Sequence, residues 1–455
     1  MRLWDFIEDA MRQNPDQIIC ENDACMSYDD VVAYAEVFAD KIKSEKCCAV
    51  MCNSEMAEAI AVLACFAANV TAVPLSLRYG EQHCRRLIEF ISPTALITDL
   101  DNGLKAYRFA THNYTESDEH PALIMCTSGT TGTPKGVMLS EKNIMCNVSD
   151  ISEYFDILKK DTILISRPLY HAAVLTGEFL TALVKGAKIC FSSEKFNPFA
   201  LLKKIREKNI TVFCGTPTIM SAISRCVKSF DVELRNICIS GECLAPSVAE
   251  MMIDAFPEAK IYHVYGLTEA CPRVSYLPPE QFRENNTYVG IPLKSVKLKI
   301  LKNDGSAASV GEDGILWVSG DNVMMGYYQN EEQTSLVLKD GWLCTKDIAR
   351  IDENGFLKII GRSDDMIIRA GMNIYPQEIE TVLKSDQRVK EVYVYGVKNK
   401  ILGQDIAMKI SGDFSGEEEV RKLCRKLLPE YQIPSLIELR DKLSQTPTGK
   451  ILRTK

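Results

Sequence analysis

Residues 125–137 read MCTSGTTGTPKGV, a polar run set between the apolar stretches 122–125 and 137–139. Glycine permits positive φ and close approach, so backbone N–H groups in such a turn can converge on phosphate oxygens. Gly129 and Gly132 are the permissive positions, Thr127, Ser128, Thr130 and Thr131 add hydroxyl donors, and Lys135 adds a full charge. The run is not the Walker pattern, which needs Gly-x4-Gly-Lys followed by Ser or Thr. The single Gly-Lys pair of the chain is Gly449-Lys450, and Ile451 follows it. A flexible surface loop is the competing reading, and spacing alone does not name a nucleotide.

CTSGTTGTPKG resembles the signature of the AMP-forming acyl- and aryl-CoA synthetase and adenylation-domain superfamily. YGLTEA at 265–270, GWLCTKD at 341–347, IGRSDDMIIRAGMNIYPQEIE at 360–380 and PTGKILR at 447–453 resemble its later motifs in the same order. The weaker segments SGECL at 240–244 and GYY at 326–328 fit as well. The resemblance implies ATP, Mg2+ and coenzyme A, and it implies roles for individual residues. Tyr265 and Gly266 would face adenine, Thr268 would meet phosphate, and Glu269 is a hard carboxylate suited to Mg2+. Gly241 and Glu242 would border the nucleotide. Asp347 would accept the ribose hydroxyls, with Arg362 beside the same sugar or phosphate. Lys450 would enter as the catalytic cation, Asp364 would be the hinge, and Gly371 would line the thiol's tunnel.

The implied reaction is activation of a carboxylic acid to an acyl-adenylate, with pyrophosphate released, then transfer to a thiol. Segment 166–187 would line the acid pocket, with His171 at a position often aromatic or histidine in acyl- and aryl-CoA ligases. Amino-acid-activating relatives commonly carry a Phe-Asp pair near this point, whereas this chain has Ala172-Ala173. A buried ammonium without a partner is costly, so an α-amino acid is disfavoured, Glu178 notwithstanding. A dicarboxylate would call for an extra arginine; the residue before Tyr265 is Val264 and the nearest candidate is Arg273, so a dicarboxylate is disfavoured. Val174, Cys214, Gly215, Thr216, Gly241 and Ala270 are small or apolar, which suits an aryl or medium-chain acid. Coenzyme A is the expected acceptor, because no carrier domain follows the lysine motif; a separate carrier protein is the alternative. A non-catalytic nucleotide-binding descendant would be favoured by loss of Lys450, Glu269 or Asp347, and all three are present. A luciferase-like oxygenase would need an aromatic luciferin pocket that nothing here demands.

The elements around these residues alternate. Helical periodicity marks 3–13, 57–68, 81–91, 198–208 and 246–255, and strand-like runs fall at 70–74, 160–166, 188–191, 211–214, 236–239 and 260–264. That alternation predicts an α/β fold: a large N-terminal domain of stacked, mostly parallel sheets with helices. Short strands at 296–301, 314–319 and 356–360, split by Asp-Gly and Asn-Gly turns, predict an added β-subdomain. Beyond Arg362 a helix at 376–385, a strand at 389–397 and a helix at 417–428 predict a small α+β domain, which the resemblance implies is mobile. The expected division is 1–363 for the AMP-binding domain and 364–455 for the domain carrying Lys450.

The chain has 455 residues, 46% hydrophobic and 25% charged, ordinary for a globular protein and long enough for two domains. A net charge of −8 gives no support to a nucleic-acid or anionic-membrane partner. The N-terminus carries acids within its first ten residues, unlike a signal peptide, and the longest apolar stretch is about half a bilayer span. A cytoplasmic protein is expected. The short region before residue 125 bears on pocket depth and dimer contacts, leaving a homodimer open. The 17 cysteines contain no Cys-x2-Cys spacing, so reduced, mostly buried thiols are expected.

Overall fold

A computed structural model describes the chain except residues 101–102, 111–113, 117–118, 129–133, 231, 370–371, 400–401 and 445–455, with backbone only at 128, 229 and 373. Two large sheets dominate. In a seven-stranded sheet, Cys47–Val50, Thr71–Pro74 and Ala95–Leu100 run parallel, and Leu123–Ser128 runs parallel to Thr71–Pro74. Leu123–Ser128 then folds back on Pro134–Leu139 as a hairpin. In a nine-stranded sheet, six neighbouring strands are parallel: Ile18–Glu21, Lys188–Phe191, Thr162–Ile165, Val212–Gly215, Asn236–Ile239 and Lys260–Gly266. The alternation read from the sequence therefore becomes a mostly parallel α/β architecture, as expected.

One apolar core joins both sheets through the helices Leu3–Arg12, Tyr28–Ile42, Glu55–Ala68 and Glu141–Tyr154. Glu55–Ala68 explains itself locally. Ser54 caps its start, accepting from the Ala57 N–H at 3.1 Å, and Asn69 ends it in the left-handed region at φ 55°. Its middle, from Ala59 to Phe66, is buried on all sides, as a helix enclosed by other elements requires.

The β-subdomain is antiparallel throughout, with Lys297–Leu301, Gly314–Ser319, Trp342–Ile351 and Leu357–Arg362 as its main strands. The chain leaves this sheet at Arg362 and enters the last one at Ile367–Arg369. There Val389–Asn399 and Gly403–Gly412 form a long hairpin, and Pro376–Leu383 and Glu417–Leu427 close the core over it. The sequence reading placed the 389–397 strand and both helices but not its antiparallel partner.

The expectation of reduced thiols fails at one pair. Cys20 and Cys25 face each other across the hairpin of Ile18–Glu21 and Ala24–Ser27, in register, with Cα atoms 4.2 Å apart, and are bonded. Cross-strand neighbours come close enough to bond, a proximity set by the turn between them. Most of the other cysteines are buried.

His263, on Lys260–Gly266, is buried, with Nδ1 3.1 Å from the Asn286 carbonyl oxygen. Burial pulls its imidazole down to about 4. A depressed folded value means its stability is present above the unfolded pKa near 6.5 and is lost as pH falls toward 4. The loss is roughly 3 kcal/mol on the scale of pKa differences. Denaturation midpoints measured from pH 7 to pH 4 should fall with this component, and His263→Gln should flatten it.

Candidate active site

Asp347 sits where three strands meet. The ladder between Trp342–Ile351 and Leu357–Arg362 places it directly opposite Arg362, whose Nη1 donates to Oδ1 at 3.1 Å. Tyr265, at the end of Lys260–Gly266 in the nine-stranded sheet, donates its hydroxyl to Oδ2. Behind it, Thr345 Oγ1 accepts the Asp347 N–H at 3.0 Å and donates its own hydrogen to the Leu316 carbonyl at 2.9 Å. The carboxylate is 6% exposed and its orientation is fixed from both sides. Burial raises its pKa, with the Arg362 guanidinium opposing that shift. Burial and the neighbouring carboxylate also push the Tyr265 phenol well up, which keeps it a proton donor. An oriented acceptor beside an aromatic ring and a guanidinium can take hydroxyl donors of a sugar.

Past Gly266 the chain turns through Thr268–Ala270. A side chain at Gly266 would meet the backbone: an added Cβ would lie 2.0 Å from the Pro272 carbonyl oxygen. Gly266→Ala is expected to lower stability by roughly 1–3 kcal/mol through overpacking. A denaturation midpoint equal to that of the unsubstituted protein would show that the turn can yield.

Glu269 and the glycine-rich segment are joined by a residue the sequence reading did not single out. Tyr327 donates its hydroxyl to Glu269 Oε1 at 2.8 Å. The same ring carries Lys135 Nζ over its face, 4.8 Å from the centroid, while Lys135 also reaches Gln333 Oε1 at 3.4 Å. Gly326–Tyr327 pairs with Val137 and Met138, so the hairpin itself delivers this tyrosine. Its signal in the sequence was the weak GYY segment. The same hairpin sets Thr127 opposite Lys135. A hard carboxylate, a phenol and an ammonium thus stand together beside the hairpin strand Pro134–Leu139.

Glu242 accepts from Thr218 Oγ1 at 2.7 Å through Oε2, and its buried Oε1 has no partner. Gly241 before it adopts φ 92°, which only glycine takes without strain. His171 Nε2 lies 2.5 Å from the Tyr79 hydroxyl, within an aromatic group that includes Tyr170 and His83. Asp364 is partly exposed and pairs with Lys346 at 3.4 Å. Gly129, Thr130, Thr131, Gly132, Gly371 and Lys450 lie outside the described residues, as does the side chain of Ser128.

Segment 166–187, expected to line the acid pocket, is less apolar than its small residues suggested. Glu178, 1% exposed, forms an ion pair with Arg167. Burial raises the Glu178 carboxyl against the pull of that arginine. Glu178 lies where the helix opens into a wider π-type turn, Leu175–Leu180, a distortion frequent at functional sites.

A large α/β unit carrying these clusters, a β-subdomain and a small α+β unit make the architecture of the AMP-forming acyl- and aryl-CoA synthetase and adenylation-domain superfamily. The chain belongs to the AMP-binding enzyme family: residues 7–328 match that family, and residues 378–450 match the AMP-binding enzyme C-terminal domain. A long-chain-fatty-acid–CoA ligase of Haemophilus influenzae is 35% identical over 74% of this chain and 61% of its own length. The chain thus spans about three fifths of that relative. A feruloyl-CoA synthase of an Amycolatopsis species is 33% identical over 73% of this chain and 68% of its own. Among solved structures, o-succinylbenzoate CoA synthetase from Bacillus subtilis, in complex with its acyl-adenylate intermediate, superposes with TM-score 0.86. That match is 25% identical and covers 100% of this chain and 97% of that one. ATP-bound MatB from Rhodopseudomonas palustris, 22% identical, shares the fold at TM-score 0.85 over 99% and 97%. Among the described residues no helix is long and apolar enough to cross a membrane.

Proposed function

We propose that this protein activates a carboxylic acid with ATP and passes the acyl group to coenzyme A. The observation that carries the reading is the buried Asp347, oriented by Tyr265 and Arg362, with the Lys135–Tyr327–Glu269 cluster near enough for the Glu269 charge to raise the Asp347 carboxyl further. In the first half-reaction the substrate carboxylate oxygen attacks the α-phosphorus, the bond to the bridging oxygen of the β-phosphate breaks, and pyrophosphate leaves. In the second, the thiolate of coenzyme A attacks the acyl carbon, AMP departs, and the thiol proton passes to solvent.

Within that scheme Asp347 holds the ribose, Tyr265 and Gly266 border the base, and Gly241 and Glu242 flank it. Thr127 to Gly132 and Lys135 hold the β- and γ-phosphates, and Thr268 reaches the phosphate between. The Bacillus subtilis relative has been solved with ATP and a magnesium ion. Glu269 fits such an ion, since Tyr327 engages one of its hard oxygen donors and leaves capacity on the other. Mg2+ bound there would neutralise phosphate charge. His171, aligned by Tyr79, stands at the acid side. Lys450 supplies a positive charge as the two anions meet. The division into 1–363 and 364–455, hinged at Asp364, and access of the thiol past Gly371 belong to the same reading.

ATP–pyrophosphate exchange over a panel of carboxylic acids tests it. Exchange dependent on one class of acid, followed by CoA-thioester formation, is the expected result. No exchange with any acid would leave a non-catalytic nucleotide-binding protein as the better account. Exchange without CoA transfer would redirect the second step to a separate carrier protein.

A further inference from the structure

Arg273 is the residue that the scheme above does not use and that burial makes hardest to ignore. It starts the strand Arg273–Leu277, which runs antiparallel to Lys260–Gly266 and lies directly across the ladder from Gly266. The pairing shifts there: Tyr265 opposes Ser275 and Gly266 opposes Arg273, leaving Val274 over. Irregularities of this kind re-aim side chains next to active sites. The guanidinium turns toward the helical layer, where Nη2 would lie 3.0 Å from a Cβ added to Gly177. Glycine at 177 is what leaves room for it, in the turn that also carries Glu178.

The position is built, not incidental. Asn147, fully buried on Glu141–Tyr154, clamps the Arg273 backbone at both ends, donating to its carbonyl at 2.8 Å and accepting its N–H at 3.1 Å. Asn322, also fully buried, donates to the same carbonyl at 3.1 Å. The head group, by contrast, is left short of acceptors. Arg273 is 3% exposed, yet its Nε has no hydrogen-bond partner. Glu178 is paired with Arg167, whose own Nε also lacks a partner. Nearby, the Tyr154 hydroxyl and the Ser275 Oγ, both buried, are unpartnered too. Glu178 Oε2 is buried and unpartnered as well, a single spare acceptor, so two guanidinium groups against one carboxylate still leave the cluster with a positive excess. An arginine kept only for packing would be replaced at no loss by an apolar side chain, because an unpaired buried charge is costly.

We propose that Arg273, with Arg167 behind Glu178, receives a second carboxylate carried at the far end of the acid substrate. The substrate class is then a short or ring-spaced dicarboxylic acid, one carboxylate activated beside Gly266 and the other held by Arg273. This rests on the adenylation reading and narrows it. It also replaces the expectation of an acid pocket lined only by small and apolar groups. A guanidinium can grip a carboxylate with two parallel hydrogen bonds, which sets both the charge and the orientation of the bound acid. An amino group is excluded from the same place by the surplus of positive charge.

The test compares ATP–pyrophosphate exchange over matched pairs differing at the distal end: straight-chain α,ω-dicarboxylates against monocarboxylates of equal length, and terephthalate against 4-methylbenzoate. The unsubstituted protein should favour the dicarboxylate by on the order of 10² or more in kcat/KM, since a site built for polar groups rejects analogues that leave them unpaired. Arg273→Met should erase that preference while retaining or improving exchange with the monocarboxylates. Preference of the unsubstituted protein for the monocarboxylates would overturn the inference and needs no variant to fold. So would an equal loss for every acid in Arg273→Met, which would make Arg273 a nucleotide-side or purely structural residue. Exchange with monocarboxylates alone sinks this inference and leaves the adenylation reading standing. Exchange with no acid sinks that reading, and this one with it.

Discussion

Lys450→Ala is expected to cut acyl-adenylate formation by a factor on the order of 10² to 10³, the usual effect of removing one electrostatic stabiliser. Transfer from a preformed acyl-adenylate to coenzyme A should be nearly unchanged. Attack of a carboxylate on the α-phosphorus brings two anions together and builds negative charge in the transition state. Positioning and charge compensation supply most of the catalysis in such a reaction. In the proposed scheme a lysine from the last segment of the chain would act on that charge and would have no equivalent task when a thiolate displaces AMP. Lys135 is different in kind. It is held near Tyr327 and Gln333, on what the proposal makes the phosphate side, so Lys135→Ala should chiefly raise the KM for ATP. Assaying the two half-reactions separately decides the matter: equal loss in both for Lys450→Ala would remove it from the adenylation step.

The second large effect is expected at Glu269. Glu269→Gln keeps an oxygen that can accept from the Tyr327 hydroxyl, now 2.8 Å away, and removes only the charge. Exchange should fall on the order of 10², as for other electrostatic stabilisers, and nucleotide binding should need a higher Mg2+ concentration. Tyr327→Phe removes a hydrogen bond to a charged group and should cost about 10-fold, in line with such bonds. Binding of a fluorescent ATP analogue across a Mg2+ titration separates metal affinity from turnover. An unchanged Mg2+ midpoint in Glu269→Gln would show that the carboxylate does not serve the ion.

Several parts of the molecule are legible in the sequence. Strands at 188–191, 236–239 and 314–319 and helices at 81–91 and 246–255 stand where periodicity put them. Their patterns are local: buried strands read as short apolar runs, and helices carry a stripe with a turn residue at each end. The hairpin of Gly403–Gly412 on Val389–Asn399 was missed because only the first of its two strands presents a continuous apolar run. The cysteine pair was missed for a related reason. Nothing in a five-residue separation says that a hairpin will put the two thiols opposite one another.

At the site, motif order alone marked Asp347, Arg362, Tyr265 and Glu269, residues that composition and spacing would have left as surface charges and a core ring. Their contacts were not legible. Asp347 and Arg362 are brought opposite by a ladder register, while Tyr265 comes to the same carboxylate from another sheet. Tyr327 joined Glu269 to Lys135 only once a two-residue strand had docked on the hairpin. Arg273 was visible as a candidate but not as a buried, unsatisfied one, because its environment comes from Asn147, Asn322 and the turn at Gly177, all distant in sequence. By itself, then, the sequence determined the family and the α/β layering and marked candidate side chains for the chemistry, since these follow from neighbours along the chain. The tertiary structure alone decided where those side chains point and which charges lose their water, because desolvation and pairing depend on whatever packs against a group from elsewhere.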